Sequence, residues 1–273
     1  MDQVSVNNER WRGADYVGVY ANRTLAPVEV VILLRYRDAL AGRVIEVGCG
    51  AGRVLGYLAD LSADAHGIDL SPAMVDYCHR AYPGADVRVG DVLELSSTFE
   101  QPFDAIVAAN NLIDVFDEER RAAVLTELHS SLAPGGLLIF SSHNLASLSH
   151  GADAVSPRGR WAGIAALGDR LAHKSPAEIA AAVGRLPAAA RNRRRLAGLQ
   201  RATADYAIVN DDTFGYALLH FYIRRDAQER QLAAAGFDLV ECLDPDGRPV
   251  PQGHDGAGPW LHYVARRRPS AEK

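Results

Sequence analysis

The sequence predicts an α/β protein built on a doubly wound, mostly parallel sheet. Three observations carry that expectation. Short apolar runs that read as buried strands alternate with amphipathic helical stretches. One such run, Val44–Val47, empties into a glycine turn, Gly48-Cys49-Gly50-Ala51-Gly52, that opens a helix. Acids then follow the strands, at the carboxyl edge where ligands of such sheets collect.

The elements are predicted in order. Residues 27–40 place apolar side chains at 28, 31, 32, 34 and 40 among charges, a helical pattern ended near Gly42. After the glycine turn, Val54, Leu55, Leu58 and Leu61 share one helical face. A second strand is expected at 65–69. Ser71-Pro72 then marks a helix, since serine can cap orphan amides and proline suits the first helical position; it should stop near Tyr82-Pro83-Gly84. Strands follow at 87–89, 103–109 and 137–140, the last two separated by a helix running from an Asp117 cap to Leu132 and ended by Pro134-Gly135-Gly136. Residues 141–222 exceed a compact connection. They hold Pro157, Gly159, Gly163 and Gly168, helical patterns at 177–183 and 187–200, and a hairpin pattern in which 205–209 faces 216–223. A helix at 225–235 capped by Gly236, and strands at 239–243 and 260–265, complete the chain.

The glycine spacing narrows the ligand. A dinucleotide fingerprint is G-x-G-x-x-G, with pyrophosphate on the helix N-terminus. Here the glycines fall at 48, 50 and 52, and an acid, Glu46, stands two residues before them. That pattern disfavours an NAD-dependent dehydrogenase. Glu46-Val47-Gly48-Cys49-Gly50-Ala51-Gly52 is similar to the first motif of the class I S-adenosylmethionine-dependent methyltransferases, of the small-molecule type. The likeness is clear over 44–140 and less specific toward the end of the chain.

What the resemblance implies is specific. The sheet would have seven strands in the order 3-2-1-4-5-7-6, the final pair antiparallel, with a helical and β-hairpin lid inserted after strand five. The cofactor would be S-adenosyl-L-methionine (SAM), and its product S-adenosyl-L-homocysteine (SAH). Glu46, Gly48, Cys49, Gly50, Gly52 and Arg53 would form the loop around its methionine part. Asp69, with Leu70 and Met74, would hold the ribose diol, for which a carboxylate is a suitable bidentate acceptor. Asp91 and Val92, after Gly90, would lie against the adenine. Asn110 and Asn111 would line the cleft, although either residue equally suits a turn. Tyr16 and Tyr20 would approach SAM, and simple helix packing suits them as well. The chain thus divides into an N-terminal helical segment over the cofactor site (1–43), a SAM-binding core (44–143), a substrate lid (144–222) and a C-terminal helix with antiparallel strands (223–273).

On the acceptor side, His143 is the favoured base, because it follows strand five at the carboxyl edge and imidazole titrates near neutral pH. A loop histidine bonded to a carbonyl would also satisfy that position. His220 and Tyr222 are second candidates. No cysteine or histidine spacing suggests a metal site, and Cys49, Cys78 and Cys242 suggest no disulfide framework, so a cytoplasmic protein is expected. Asn110-Asn111-Leu112-Ile113 is not the motif of base-amino methyltransferases. The net charge of −5 argues against nucleic acid or membrane as the main partner. Arg191, Arg194 and Arg195 share a helical face that reads as solvated. No secretory core or bilayer-length apolar run occurs. The expected activity is methyl transfer to an O, N or C atom of a small molecule, and a homodimer stays open. The alternatives are an RNA or protein methyltransferase, and a SAM-fold protein that cyclises or merely binds.

Overall fold

The structure is a computed structural model, and it describes residues 2–12, 17–21, 24–149, 176–256 and 258–269. Strands β1 (Val44–Val47), β2 (Ala65–Asp69), β3 (Asp86–Val89), β4 (Phe103–Ala108) and β5 (Leu132–Asn144) pair in parallel in the order 3-2-1-4-5. Two C-terminal strands, β9 (Phe237–Leu243) and β10 (Trp260–Arg267), close that edge antiparallel, with β10 against β5 from Trp260↔His143 to Arg266↔Leu137. This core reproduces the expected order 3-2-1-4-5-7-6.

Three further strands depart from it. Between the fifth and last two strands of the core lie β6 (Arg201–Ala202), β7 (Tyr206–Val209) and β8 (His220–Ile223). The β7–β8 hairpin is shorter than the 205–209 and 216–223 pattern, and it joins the main sheet, because β8 pairs in parallel with the end of β5 at His143↔Tyr222 and Asn144↔Ile223. Strand β5 therefore runs to thirteen residues instead of 137–140, its outer half shared between β8 and β10. Pro134, Gly135 and Gly136 sit inside it as an irregularity rather than ending the preceding helix. That helix, Glu118–Ser131, starts where Asp117 accepts from Arg120 N.

Smaller corrections have local causes. The 27–40 helix is divided into Pro27–Arg35 and Arg37–Leu40 at Tyr36. The two helical patterns at 177–183 and 187–200 form one helix, Pro176–Leu196, with Pro187 inside it. Its last turn buries Leu196 against Tyr206, Ile208 and Phe221 and leaves Arg191, Arg194 and Arg195 exposed. Ser71 makes no side-chain cap; its backbone N–H donates to Asp69 instead. Pro157, Gly159, Gly163, Gly168 and Tyr16 lie outside the described residues. Among the described residues no helix is long and apolar enough to cross a membrane.

The buried apolar side chains fill both faces of the sheet. Ile45, Ile68, Ile106, Leu138 and Phe140 belong to one cluster, and Val44, Val107, Leu137, Ile139 and Val264 to another. Strands covered on both sides read as continuous apolar runs, which is why β1 and β4 were legible without alternation.

Candidate active site

The carboxyl ends of β1, β2 and β4 open into a cleft of about 1040 Å³, its mouth included. Glu46, Gly48, Cys49, Gly50 and Arg53 line it from the glycine turn, Asp69, Leu70 and Met74 from β2 and its helix, Gly90, Asp91 and Val92 from the β3 end, and Asn110 from the β4 end. Tyr20 lines it from the N-terminal segment. Gly52 and Asn111 stand behind this wall. Gly52 has φ +75° and packs on Tyr82, while Asn111 turns toward His143.

Hydrogen bonds set the geometry of the turn. Gly50 N–H donates to Asp69 Oδ2 at 2.8 Å, and Ser71 N–H donates to Oδ1 at 2.8 Å, so one carboxylate ties the turn to β2 while keeping free lone pairs toward the cleft. Gly50 has φ +54° and no atom within 4 Å of where a Cβ would stand. The open space there is the surface a ligand can reach. Glu46 is 3% exposed and accepts from Leu55 N–H at 2.7 Å, fixing the helix start. Burial pushes the Glu46 carboxyl well above its usual range and raises that of Asp69 as well. Asp91 accepts from Leu93 N–H, which aims the segment bearing Val92.

Charge tests what could bind. Among the described lining residues Glu46, Asp69 and Asp91 are acids and Arg53 is a cation already held in a two-pronged pair with Glu29. Burial would raise the Glu29 carboxyl, but the Arg53 hydrogen bonds and charge outweigh it and hold it low. A pyrophosphate would meet three carboxylates. A nucleoside carrying a cation fits, with Asp69 for a diol and Val92, Ile68 and Met74 for a flat ring.

Sequence reasoning missed part of the wall. Asn8 and Trp11 come from the helix Gln3–Trp11, and Leu112, Val115 and Phe116 from the turn after β4. Trp11 packs edge-on against Phe214 at 5.6 Å and near Tyr20 at 6.1 Å, so residues from both sides of the chain roof the cleft. The helix is tied down where buried Gln3 and Asn7 donate to carbonyls of Asp114, Val115, Phe116 and Leu219. Buried amides inside a polar N-terminal stretch are the signal that could have located it.

His143 is not in the lining of the cleft; it is reached through Asn111, whose amide nitrogen lies 3.3 Å from its Nε2. Its Nδ1 lies 2.7 Å from Asp114 Oδ2, which also accepts the His143 backbone N–H at 2.6 Å. A carboxylate only accepts, so the ring proton sits on Nδ1 and the lone pair on Nε2. Asp114 is fully buried, and its other oxygen accepts from Arg121 at 2.5 Å and Ser142 Oγ at 2.7 Å. Burial opposes its ionisation, but the Arg121 charge and the His143 bonds win and hold the carboxyl below its usual range. Arg121 is itself saturated by the Ile113 carbonyl, Ser142, Gln228 and Gln231.

The other two acceptor-side candidates converge on the same place. His220 Nδ1 lies 2.6 Å from Asp211 Oδ2, and Tyr222 O–H donates to that oxygen at 3.0 Å. Ring centroids of His143 stand 5.0 Å from His220 and 4.6 Å from Tyr222, following directly from the β5–β8 register. Burial and the Asp211 charge push the Tyr222 phenol far up, so it stays protonated. No sequence spacing pointed to a metal site, yet the fold gathers His143, Asp211 and His220 with ligand atoms within 4.8 Å of one another.

The cleft lies at the carboxyl edge of a 3-2-1-4-5-7-6 sheet, and comparisons with known proteins point to the same class of enzyme. A family model described as a methyltransferase domain matches residues 44–136. A probable S-adenosylmethionine-dependent methyltransferase of Mycolicibacterium smegmatis is 31% identical over 124 residues, 45% of this chain and 47% of that protein. A ubiquinone biosynthesis O-methyltransferase of Xanthomonas axonopodis pv. citri is 30% identical over 53% of this chain and 60% of that one. The chain spans about half the length of these curated relatives. Among solved structures, a TehB-like SAM-dependent methyltransferase from Corynebacterium glutamicum covers 97% of this chain and 98% of its own, at TM-score 0.51 and 19% identity. Magnesium protoporphyrin IX methyltransferase from Synechocystis with bound SAH covers 97% and 100%, at TM-score 0.56 and 13% identity; likeness at such identity speaks for the fold. Residues 44–136 thus match a methyltransferase domain, and the SAM-dependent methyltransferases are what this chain is similar to.

Proposed function

We propose that this chain transfers the methyl group of SAM to an O, N or C atom of a small-molecule metabolite. One observation carries the reading: Asn111, next to the cleft-lining Asn110, touches an imidazole whose Nδ1 is fixed by the buried Asp114. SAM when bound supplies a methyl group already activated on a sulfonium, so the chain's task is chiefly positioning.

Its residues suit that task. The turn from Gly48 to Gly52 with Glu46 and Arg53 would hold the amino-acid end, Asp69 the ribose diol, and Asp91 with Val92 the adenine. Asn110 and Asn111, both with left-handed backbones at φ +59° and +58°, mark the passage from cofactor to acceptor. His143 Nε2 would take the acceptor's proton, and Asp114 would stabilise the resulting imidazolium without moving. His220, held the same way by Asp211, is a second base, and Tyr222 orients that carboxylate as a donor.

The roof of Asn8, Trp11 and Tyr20 supports a small acceptor, since it narrows access to the reacting end. Fold neighbours include methyltransferases of magnesium protoporphyrin IX and of an amino pentose. The three free, buried thiols suit a reducing cytoplasm. The test has two stages. Calorimetry should show SAH uptake, and His143→Asn should leave SAH affinity within about twofold while cutting SAH formation with a candidate acceptor by about 100-fold, the lower range for lost general-base catalysis. Normal turnover by that variant refutes the base assignment.

A further inference from the structure

The acceptor end holds two carboxylate–histidine pairs facing each other: Asp114 on His143 Nδ1 at 2.7 Å and Asp211 on His220 Nδ1 at 2.6 Å. Asp114 fixes the His143 ring with the proton on Nδ1, leaving Nε2 with a lone pair, whereas His220 Nδ1 and Asp211 Oδ2 hold between them a proton that an ion can replace. His143 is thus oriented as metal-ligating histidines are, by a carboxylate on the other ring nitrogen, which in such sites also raises ligand basicity. The spacing fits too. With metal–nitrogen bonds of about 2.0–2.1 Å, two imidazoles on one tetrahedral ion have ring centroids about 5 Å apart. The observed separation is 5.0 Å.

Two oxygens stand ready beside the rings. Asp211 Oδ1 accepts from Thr213 N–H at 3.0 Å, and a carboxylate oxygen with two lone pairs keeps capacity for a ligand bond. Asn111 Oδ1 is buried with no partner, and its amide nitrogen is 3.3 Å from His143 Nε2. A half-turn of that amide exchanges the nitrogen for the unpartnered oxygen. The side chains of His143, Asp211 and His220 are only 14%, 14% and 8% exposed, which protects a site from competing water.

We propose that His143 through Nε2, His220 through Nδ1 and the Asp211 carboxylate form a binding site for one divalent transition-metal ion of the Zn²⁺ or Co²⁺ kind, which displaces the proton now held between His220 and Asp211. Imidazole nitrogens with one carboxylate suit these borderline ions and not Mg²⁺, which prefers an oxygen cage. The inference rests on reading this end of the cleft as the acceptor side. An ion on His143 Nε2 occupies the lone pair that would receive the acceptor's proton. Metal and transferred proton are therefore alternative occupants, and the loaded protein binds cofactor while its base is blocked.

Metal-stripped full-length protein, saturated with SAH, is titrated with CoCl₂ and followed by visible absorption. One equivalent should develop the ligand-field bands of a four- or five-coordinate ion, removed by ZnCl₂ and unaffected by MgCl₂. Asp211→Ala and His220→Ala should each weaken Co²⁺ binding by about 10- to 100-fold. His220→Gln, which keeps a donor toward Asp211, guards against a folding defect and should weaken it equally. SAH affinity should stay within twofold in all three variants. Absence of a saturable band, or a band that the three variants leave unchanged, overturns the metal site and leaves the methyltransferase reading intact. Failure of the wild-type chain to bind SAH is the separate failure of that reading.

Discussion

Glu46 is a carboxylate at a place where burial makes charge costly. Its carboxyl is raised well above the ordinary range, with only Leu55 N–H and the more distant Arg53 charge in compensation. A cationic amino-acid group brought to the turn favours the ionised form, so binding releases a proton wherever Glu46 is protonated in the free protein. The sign follows. Affinity for SAH should rise as pH rises through the raised range of Glu46, then level off above it. Calorimetry of SAH binding in two buffers of different ionisation heat should show net proton release, and Glu46→Gln should abolish it; equal heats in both buffers for the wild type would remove Glu46 from this role. Glu46 itself was legible because it sits inside a local motif. Asp114 was not, since its link to His143 spans 29 positions and exists only through the placement of β5 beside the turn after β4. Asn111 was legible as a cleft residue by analogy, but its turn toward His143 depends on a left-handed backbone that sequence does not announce.

At the scale of elements, the glycine turn separates two roles that spacing alone merges. Gly50 faces open space, whereas a Cβ on Gly52 would come within 2.3 Å of the Tyr82 ring. Gly50→Ala should therefore cost about 1 kcal/mol, from its left-handed φ alone, yet fill the ligand's approach and weaken SAH binding by more than tenfold. Gly52→Ala adds a ring clash to its φ of +75° and should lose more stability, about 2–3 kcal/mol. Urea unfolding and SAH calorimetry on both variants check the pair, and a reversed ranking would mean the turn is held by the ligand rather than by Tyr82 and Asp69. The strand-turn-helix unit was readable because its interactions are local. The β7–β8 hairpin was readable as a hairpin, but its attachment to the sheet was not. Pairing of β8 with β5 joins residues about 80 positions apart, and hydrophobic pattern says that a strand is buried without saying beside which partner. Strand β5 was underestimated for the same reason, its polar outer half Ser141-Ser142-His143-Asn144 being strand only because β8 and β10 flank it.

At the scale of the whole molecule, one buried contact joins the beginning, the cofactor turn and the end of the chain. His262 on β10 lines a small cavity with Glu29 and Ile32 of the helix Pro27–Arg35, and Glu29 in turn holds Arg53 of the glycine turn. Burial pushes the His262 imidazole down to about 4, the nearby Glu29 charge only partly opposing this, and its Nδ1 has no hydrogen-bond partner. In the unfolded chain the same group titrates near 6.5, so between these values the unfolded state binds a proton that the folded state refuses. Stability is thus complete above about 6.5 and falls as pH drops toward about 4, by at most about 3 kcal/mol from this residue. The Glu29 carboxylate, held low by Arg53, adds a loss of the same sign that sets in as pH falls below about 4.5, at the acid end of this window. Urea midpoints measured at intervals from pH 7 to 4 should decline for the wild type, and His262→Phe, which keeps the ring but cannot take up a proton, should flatten much of that decline. An unchanged slope in the variant would show that acid opens the molecule elsewhere, and that the seam between β10, the helix Pro27–Arg35 and the cofactor turn is not where acid opens the fold.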